Sequence, residues 1–351
     1  MPITISTKLS RLLNVNSPII SAPMTDTTTP ALVAVVINAG GLGFLGTGRS
    51  SASKITADID EARAAIPPER QYLVSVGFVG WVLDRSEPTM VAAVLDKKVA
   101  AVLFAYGRNL GKYVAQVREH DATCEHKTLV FVTVNTVEEA LNVTKEVKPD
   151  VLVVQGYEAG GRAKVDSPST KDFVRSVAEV TPHGPLLVAA GGITKGSQIA
   201  ELLKAGASAV ILGTRFLFTH ECILPDDQKQ LLIGAGADST TRSPIFDVIF
   251  PDNVWPSGIQ ARCLKNSIVT YETRLQELTA ERSESAKKEL EALKVQLIAK
   301  INSDKDHLLI YAGLGVSELS EIQPAFDVLR RLHTEAVDAL RDLDPSLLVQ
   351  S

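Results

Sequence analysis

Two pairs of residues end neighbouring apolar runs and together could bind a phosphate. The run that begins at Leu186 stops at Gly191 and Gly192, and after a helix-patterned segment a second run ends at Gly213 and Thr214. If both runs are buried parallel strands, these ends lie at the same edge, where backbone N–H groups without a neighbouring Cβ can hold a phosphate. Phosphate sites in eight-stranded β/α barrels often follow strands seven and eight. The spacing therefore predicts a phosphorylated cofactor.

Two other strand ends carry groups suited to a flat ligand. The first apolar run closes with Ala22, Pro23 and Met24, whose backbone N–H and polarizable thioether could lie against an aromatic ring. Ordinary core filling is the alternative for these residues. The sixth run ends at Gln155, followed by the paired glycines Gly160 and Gly161. A buried amide there could contact the polar edge of a ring, whereas a simple turn would also explain the glycines.

The elements that must position these residues alternate regularly. Eight short apolar runs rich in Val, Ile and Leu are separated by helix-patterned segments, as is typical of strands buried on both faces. The runs occupy residues 18–23, 41–46, 72–78, 100–106, 128–134, 151–156, 186–191 and 209–214. Eight such units that close on themselves form a TIM (β/α)8 barrel, the α/β fold class we predict. An open doubly wound sheet is the alternative.

The alternation stops after Thr214. Residues 215–310 contain no convincing buried strand, and residues 271–302 form a charged stretch with leucines at helical spacings. We expect this stretch to pack on its own barrel, with a coiled-coil contact as the alternative. Helical pattern resumes at residues 323–341, which would supply the last barrel helix. The predicted domains are a barrel of residues 1–214 plus 311–351 and a mainly helical lid or substrate subdomain of residues 215–310.

A glycine pattern at residues 41–46 matches the dinucleotide-binding fingerprint GxGxxG letter for letter. Its context differs, because the fingerprint follows a strand and opens a helix, whereas this segment follows a helix and is itself strand-like. Close packing of the second strand is the better interpretation.

The composition argues against several other classes of protein. The net charge of −5, without a basic stripe, argues against a nucleic-acid partner. Three cysteines, odd in number and far apart, suggest neither a disulfide framework nor a metal site. No stretch reaches membrane-spanning length, and the N-terminus lacks a long apolar signal region. We expect a cytoplasmic protein without membrane partner, acting on a small-molecule substrate, and a homodimer is an open alternative.

Longer motifs make the chain similar to one enzyme family. The matching segments, in order along almost the whole chain, are PIISAPM at 18–24, NAGGLGFLGTG at 38–48, QGYEAGG at 155–161, VAAGGI at 188–193, ILGTRFLFTHEC at 211–222, TTRSPIFD at 240–247, WPSGIQAR at 255–262 and YAGLGV at 311–316. The chain resembles the nitronate monooxygenase (2-nitropropane dioxygenase) family, and FAYGRN at 104–109 resembles fungal members. The resemblance implies a TIM barrel that holds FMN non-covalently and oxidises alkyl nitronates with O₂ to a carbonyl compound and nitrite.

The resemblance also implies roles for the residues singled out above. Ala22, Pro23 and Met24 would border the flavin ring, and Gln155 would contact its polar edge. Gly161 would line the flavin near its ribityl chain. The residues that would bind the phosphate are Ala190, Gly191, Gly192, Gly213 and Thr214.

One departure from the family pattern concerns the catalytic position. The family usually reads EAGGH, its histidine acting as base or substrate-positioning group, whereas this chain has Arg162 there. A guanidinium, with a pKa above about 12, cannot accept a proton near neutral pH. It could instead bind the two oxygens of an anionic nitronate. The alternative is a surface ion pair of Arg162 with Glu158 or Asp166.

Other residues of the same loop could carry a different chemistry. Tyr157, Lys164 and Asp166 could supply acid or base groups to another substrate. We therefore keep two alternatives to the nitronate reaction. One is a diverged flavin-dependent reductase, isomerase or dehydratase that acts on a carbonyl intermediate, and the other is a non-catalytic flavin-binding protein.

Overall fold

The computed structural model describes residues 3–248, 254–303 and 305–350. Eight parallel strands close into a barrel, which confirms the predicted fold class. In barrel order, the strands are β2 (Ile19–Ser21), β3 (Leu42–Gly46), β4 (Val74–Val79), β5 (Ala101–Ala105), β6 (Leu129–Val134), β7 (Val151–Gln155), β9 (Leu186–Ala190) and β10 (Ala209–Leu212), and β10 pairs with β2. Each of them lies within or overlaps one of the eight predicted runs.

Helices surround the barrel. They are α1 (Lys8–Leu13), α2 (Pro30–Asn38), α3 (Ala52–Ala64), α4 (Gly80–Leu83), α5 (Met90–Leu95), α6 (Gly111–Ala122), α7 (Val137–Glu146), α8 (Thr170–Val180), α9 (Gly196–Lys204), α10 (Thr214–Leu217) and, at the end of the chain, α15 (Ala325–Leu343). Threonine or serine caps several of them; Thr136, for example, accepts a hydrogen bond from the Glu139 N–H at the start of α7. Short β1 (Ile3–Ile5) and β13 (Leu348–Gln350) pair outside the barrel.

The barrel is held by a continuous apolar core. Its strands are buried on both faces, and the fully buried Phe44 and Phe131 meet edge to face with ring centroids 5.4 Å apart. Helix α15 closes the ring by packing against α9 and α2, and Leu329, Leu332 and Ala336 on its inner face are buried. This helix confirms the predicted last barrel helix. The segment 41–46 forms strand β3, as its context predicted.

The segment between β10 and α15 differs from the expectation of a strand-free insertion. It contains α11 (Asp226–Ile233), β11 (Thr240–Ser243), α12 (Ile245–Val248) and a buried strand, β12 (Ile259–Leu264). Strand β12 pairs antiparallel with β11 and with β8 (Gly161–Lys164), which follows barrel strand β7. The strand was missed because Gln260 and Arg262 interrupt its apolar residues. Whether residues 215–310 act as a separate lid stays a prediction.

The charged stretch 271–302 forms two helices rather than one. Helix α13 (Glu272–Ala280) is followed by α14 (Glu284–Ser303). Their buried leucines, Leu275 and Leu297, share a small core with Phe246 and Cys263. The stretch therefore packs mainly on the inserted strands, not directly on the barrel as we had expected. Within the described residues, no helix combines the length and apolar character of a bilayer-spanning segment.

Candidate functional site

A cavity of about 600 Å³ lies at the carboxyl ends of the barrel strands. Loops that follow most of the strands contribute to its wall, and Trp255 and Tyr311 from the C-terminal third of the chain complete it. The structure brings together in this wall all ten residues predicted to hold the cofactor, namely Ala22, Pro23, Met24, Gln155, Gly161, Ala190, Gly191, Gly192, Gly213 and Thr214. This face is where TIM-barrel enzymes carry their active sites.

The glycine-tipped ends of β9 and β10 form a cradle of backbone N–H groups. Gly191 and Gly192 have φ angles of +117° and +70°, and Gly213 precedes the first residue of α10. Among the described residues, no backbone carbonyl accepts a hydrogen bond from the N–H groups of these three glycines. The three glycines are partly buried at the cavity wall, and their N–H groups are suited to an anion that supplies acceptor oxygens.

Glycine is required in this cradle for steric reasons as well. A Cβ on Gly192 would lie 2.8 Å from the Glu158 Cβ, and one on Gly191 would lie 2.9 Å from Thr170 Oγ1. Glu158 cannot easily move away, because its carboxylate accepts hydrogen bonds from the Thr170 N–H and hydroxyl at 2.9 and 2.7 Å. The end of β9 is therefore held against the loop that follows β7.

The segment 311–316 braces the cradle from the other side. The Gly313 N–H donates to Thr214 Oγ1 at 2.9 Å, and the Leu314 N–H donates to the Glu158 carbonyl at 3.0 Å. Gly313 and Gly315 also line the cavity. Sequence analysis had treated this segment as part of a family motif without assigning it to the site, although its paired glycines were a usable signal.

The Gln155 side chain has a defined orientation in the cavity wall. Its Oε1 accepts hydrogen bonds from the Tyr106 hydroxyl at 2.7 Å and from Asn135 Nδ2 at 3.1 Å. With the amide oxygen held by two donors, the amide NH₂ is the group that remains for a ligand. Gln155 thus presents a fixed hydrogen-bond donor at the end of β7.

Tyr106 links this amide to the strand that follows. Its hydroxyl lies 2.6 Å from the carbonyl oxygen of Arg162, and its backbone has a left-handed φ of +57°. A non-glycine residue in this region stores strain that the surrounding contacts must offset. Burial raises the pKa of the Tyr106 hydroxyl well above its usual range, so the group stays protonated. Tyr106 is a site residue that sequence analysis missed.

Arg162 is buried in the cavity wall, with 8% of its surface exposed. Strand β8 places it opposite Ala261 of β12, and its Nη1 forms an ion pair with Asp247 Oδ1. Its guanidinium lies over the Trp255 ring, 4.3 Å from the centroid, and 5.9 Å from that of Tyr311. This geometry excludes the surface ion pair with Glu158 or Asp166, and it leaves a cation fixed beside the cavity.

The carboxylate of Asp247 balances the charge of Arg162, but burial disfavours its ionised form. Burial raises the pKa of Asp247, while the charge of Arg162 and its hydrogen bond act in the opposite direction. Because the net shift is upward, desolvation outweighs the ion pair. Asp247 therefore holds Arg162 in place more than it stabilises the fold. Its partner lies 85 residues away in the sequence, which is why sequence analysis did not find it.

Aromatic side chains form part of the cavity wall. Trp255 meets the Tyr106 and Trp81 rings edge to face, with centroids 5.7 and 5.3 Å apart. Trp81, Tyr106, Trp255 and Tyr311 all line the cavity. No histidine is present among the described residues of this lining. The wall is thus apolar and aromatic, with Arg162 as its buried charge.

Two further arginines hold the loop that carries Arg162. Arg242 donates hydrogen bonds to the carbonyl oxygens of Ala159 and Gln260, both at 2.7 Å, and Arg262 donates to that of Tyr157 at 3.2 Å. Burial lowers the pKa of Arg242 to about 10, and the nearby Arg262 charge contributes to that shift, so Arg242 remains charged at neutral pH. These contacts preorganise the loop between β7 and β8.

The structure does not bring three of the predicted catalytic residues to the cavity. Tyr157 is exposed and its ring faces Arg262, while Lys164 forms an ion pair with Glu139 at 3.2 Å. Asp166 is exposed beyond the end of β8. Lys164 is drawn away from the cavity by its ion pair with Glu139, and Tyr157 and Asp166 lie on either side of β8 outside the cavity lining. Proximity in sequence was a poor guide for these three.

Comparisons with known proteins agree with one another. The family model for nitronate monooxygenase matches residues 6–68 and 80–335. Nitronate monooxygenase npaC of Metarhizium robertsii is 34% identical over 266 residues, covering 71% of this chain and 72% of that protein. Among solved structures, the nitroalkane oxidase of Streptomyces ansochromogenes has 27% identity and a TM-score of 0.74, covering 96% of this chain and 99% of that one. FabK from Thermotoga maritima, at 24% identity with a TM-score of 0.76 and coverage of 97% and 99%, shows the shared fold alone.

Proposed function

This chain belongs to the nitronate monooxygenase family of flavin-dependent oxidoreductases, and from that premise we propose that it binds FMN and oxidises alkyl nitronates with O₂ to a carbonyl compound and nitrite. The observation that carries the proposal is the buried guanidinium of Arg162 in the wall of a cavity that also offers a phosphate cradle. The cation suits an anionic substrate, and the cradle suits a phosphorylated cofactor.

The residues of the cavity fit FMN. The N–H groups of Gly191, Gly192 and Gly213 would hold its phosphate. Among the described residues, none of these three groups donates a hydrogen bond to a backbone carbonyl. A Cβ on Gly161 would meet no atom within 4 Å, so this glycine borders open space suited to the ribityl chain.

Met24 and Pro23 would lie beside the flavin ring, and the Gln155 amide would donate to its polar edge. When bound, the flavin supplies the electron acceptor for the substrate carbon and the reductant for O₂. The protein's own contribution is to orient the flavin and the substrate and, through its aromatic wall, to exclude water from the cavity.

Arg162 determines which form of the substrate can react. A nitronate already lacks the proton on its reacting carbon, and its two oxygens match the fork of a guanidinium. A neutral nitroalkane must lose that proton to a base. Arg162 cannot accept it, and the described cavity lining contains no histidine that could. We therefore expect turnover of nitronates and little or none of their neutral parent compounds.

The direct test compares a primary nitronate, its neutral nitroalkane and NADH as substrates of the purified holoenzyme. Nitrite formation and O₂ consumption with the nitronate alone support the proposal. Flavin reduction by NADH without nitrite from either nitro compound would instead support the reductase alternative. Mass determination of the cofactor released by heat distinguishes FMN from FAD.

The phosphate cradle has its own test in the variant Gly213→Ala. A Cβ there would meet Met24 Sδ and Ala22 Cβ at ordinary distances of 3.7 and 3.8 Å, so the fold should tolerate it. Alanine keeps the backbone N–H, but its methyl group would lie beside that donor and hold the phosphate away from it. A loss comparable to one charge-assisted hydrogen bond, about 1.5 kcal/mol, should weaken FMN binding about tenfold. Gly111→Ala, a change outside the cavity with its nearest contact at 3.5 Å, is the matched control. Equal FMN affinity in both variants would refute the assigned cradle.

A further inference from the structure

Three side chains with metal-binding groups meet where helix α6 ends. His120 and Asp121 lie in the last turn of α6, and Cys124 follows two residues after the helix. One ligating atom from each of the three lies within 4.8 Å of the other two. The chain enters β6 at Leu129 soon afterwards, so this group lies at the amino end of the barrel strands. It is therefore separate from the cavity, which lies at their carboxyl ends.

The distances within this group are close to those around a bound metal ion. His120 Nδ1 lies 3.9 Å from Cys124 Sγ and 4.0 Å from Asp121 Oδ1. Around a tetrahedral Zn²⁺ ion, bonds of about 2.0–2.3 Å place a nitrogen ligand about 3.6 Å from a sulfur and about 3.4 Å from an oxygen. Each observed distance exceeds the bound value by only about 0.3–0.6 Å. Small side-chain rotations would close this difference.

A carboxylate outside the group orients the imidazole. His120 Nε2 lies 3.3 Å from Oδ1 of Asp96, the residue that follows helix α5. If Asp96 accepts the Nε2 proton, Nδ1 keeps its lone pair and lies beside Asp121 and Cys124. Carboxylate, histidine and metal in this order are the usual arrangement at zinc sites. An imidazolium that bridges Asp96 and Asp121 is the alternative, and metal binding distinguishes the two.

Asp121 is a buried carboxylate with spare acceptor capacity. Only 5% of the residue is exposed, and both carboxylate oxygens accept from the same donor, the Thr128 N–H, at 3.1 and 3.3 Å. A carboxylate offers about four acceptor positions, and a buried one requires its charge to be compensated. The ammonium of Lys127 is near, but it donates to the backbone carbonyl oxygens of Asp121 and Cys124. A cation bound beside the carboxylate would compensate its charge directly.

The thiol of Cys124 completes the set of ligands. Cys124 is a free cysteine, and its Sγ lies 3.3 Å from the carbonyl oxygen of His126 and 3.6 Å from that of His120. These are weak hydrogen bonds, which a thiol loses at little cost when a metal ion displaces its proton. The thiolate and the Asp121 carboxylate would then neutralise a divalent ion. The spacing of the cysteines did not indicate this group, because the partners of Cys124 are an imidazole and a carboxylate.

We propose that His120, Asp121 and Cys124 bind one divalent ion of the Zn²⁺ class, with water as the fourth ligand. Thiolate, imidazole and carboxylate are the ligands that Zn²⁺ takes in proteins, whereas Ca²⁺ and Mg²⁺ take oxygen ligands. The ion would tie the end of α6 to the segment that enters β6. This face of a TIM barrel serves stability rather than catalysis, so the role of the ion is structural and does not depend on the proposed function.

The binding test uses the FMN-loaded holoenzyme, freed of metal ions with a chelator and kept reduced by a phosphine. Zn²⁺ titrated in the presence of a chromophoric competitor should bind at one equivalent. Co²⁺ in its place should give the d–d bands of tetrahedral coordination, at wavelengths longer than those that oxidised flavin absorbs. Saturating Zn²⁺ should also raise the melting temperature, because the ion binds the folded chain preferentially.

Substitutions assign the ligands. Cys124→Ser and His120→Gln each remove a ligand and should weaken Zn²⁺ binding more than about 100-fold, while Asp96→Asn removes only the orienting carboxylate and should weaken it about 10–100-fold. His183→Gln changes an exposed histidine of the loop before β9 and is the matched control, which should bind as the parent does. None of the four residues lines the cavity, so FMN content and nitrite formation should be unchanged.

Each outcome decides for or against the site. One equivalent of Zn²⁺ that is lost in Cys124→Ser and His120→Gln but kept in His183→Gln supports it. Equal Zn²⁺ affinity of His120→Gln and His183→Gln, or failure of the parent to bind one equivalent, would overturn it. If Cys124→Ser does not fold, Asp96→Asn still decides, because the Asp96 side chain is 74% exposed and its replacement leaves the three ligands in place. Unchanged affinity in that variant would contradict the assigned orientation of His120.

Discussion

Replacing Arg162 with histidine should convert the enzyme from one that requires a nitronate into one that also oxidises the neutral nitroalkane. The position lies in the cavity wall on a strand fixed by its pairing with β12, and the Asp247 carboxylate lies beside it. An imidazole introduced there gains a carboxylate that can orient it and stabilise its protonated form. This is the arrangement that a general base requires.

The expected gain in activity on the neutral nitroalkane follows from the fraction of each side chain that is neutral and can therefore act as a base. At pH 8, a guanidinium with a pKa above about 12 is neutral in fewer than about one molecule in 10⁴, whereas an imidazole with a pKa near 6.5 is almost wholly neutral. A positioned base contributes about 10²–10⁴-fold to the rate. We expect the lower end, about 10²-fold in kcat/KM for nitroethane, because the surrounding residues are arranged for a longer side chain.

The same change should weaken the nitronate reaction. Loss of the guanidinium fork removes charge-assisted hydrogen bonds worth about 1.5–3 kcal/mol, so kcat/KM for ethylnitronate should fall about 10–100-fold. The two effects have opposite signs in one variant. General damage to the site would lower both activities, so the pair of measurements separates a change of mechanism from a loss of structure.

The assay measures nitrite release from nitroethane and from ethylnitronate for the parent enzyme, Arg162→His and two controls. Arg162→Gln removes the cation without supplying a base, and Arg162→Lys keeps the charge without the fork. A gain on nitroethane that appears equally in Arg162→Gln would refute a role for the imidazole as base. A folded, flavin-loaded Arg162→His variant without any gain would show that the cavity is not built for proton abstraction at this position.

Three further predictions concern stability and cofactor binding. Asp247→Asn should be more favourable to stability at pH 7 than at pH 4, because a carboxyl whose pKa is raised in the folded state contributes stability below its unfolded pKa that is lost as pH rises through the folded value. Thermal unfolding of both proteins across this range measures the difference, and equal effects at both pH values would contradict it. Tyr106→Phe should lower the free energy of unfolding by about 1–2 kcal/mol, because it removes the hydroxyl whose single proton is shared between Gln155 Oε1 and the Arg162 carbonyl oxygen. An unchanged melting temperature would argue against that network. Gly192→Ala should lower the free energy of unfolding by about 1–2 kcal/mol and also reduce the flavin content, because the φ of this residue is +70° and its Cβ would lie 2.8 Å from the Glu158 Cβ. Purification with full flavin occupancy would count against the cradle.

Much of the barrel could be predicted because its signals are local. A strand buried on both faces must be apolar throughout, so eight continuous runs such as 151–156 and 209–214 mark eight strands without knowledge of their partners. Parallel strands then bring their carboxyl ends to one face, which placed Gln155, Gly191 and Gly213 around one cavity. Strand β12 was not predictable in this way, because Gln260 and Arg262 interrupt its apolar residues, so it does not form a continuous apolar run.

The sequence alone determined that position 162 carries a cation that cannot act as a base, because the pKa of a guanidinium is set by its own chemistry. It likewise determined that the strand ends at residues 191 and 213 are glycine-tipped. Only the tertiary structure decided that Asp247 pairs with Arg162 and that Arg49 and Arg85 both lie near the Trp81 ring. It also decided that Lys164 and Asp166 lie outside the cavity. These choices depend on which distant segments meet when the barrel closes, and no local pattern of residues encodes that meeting.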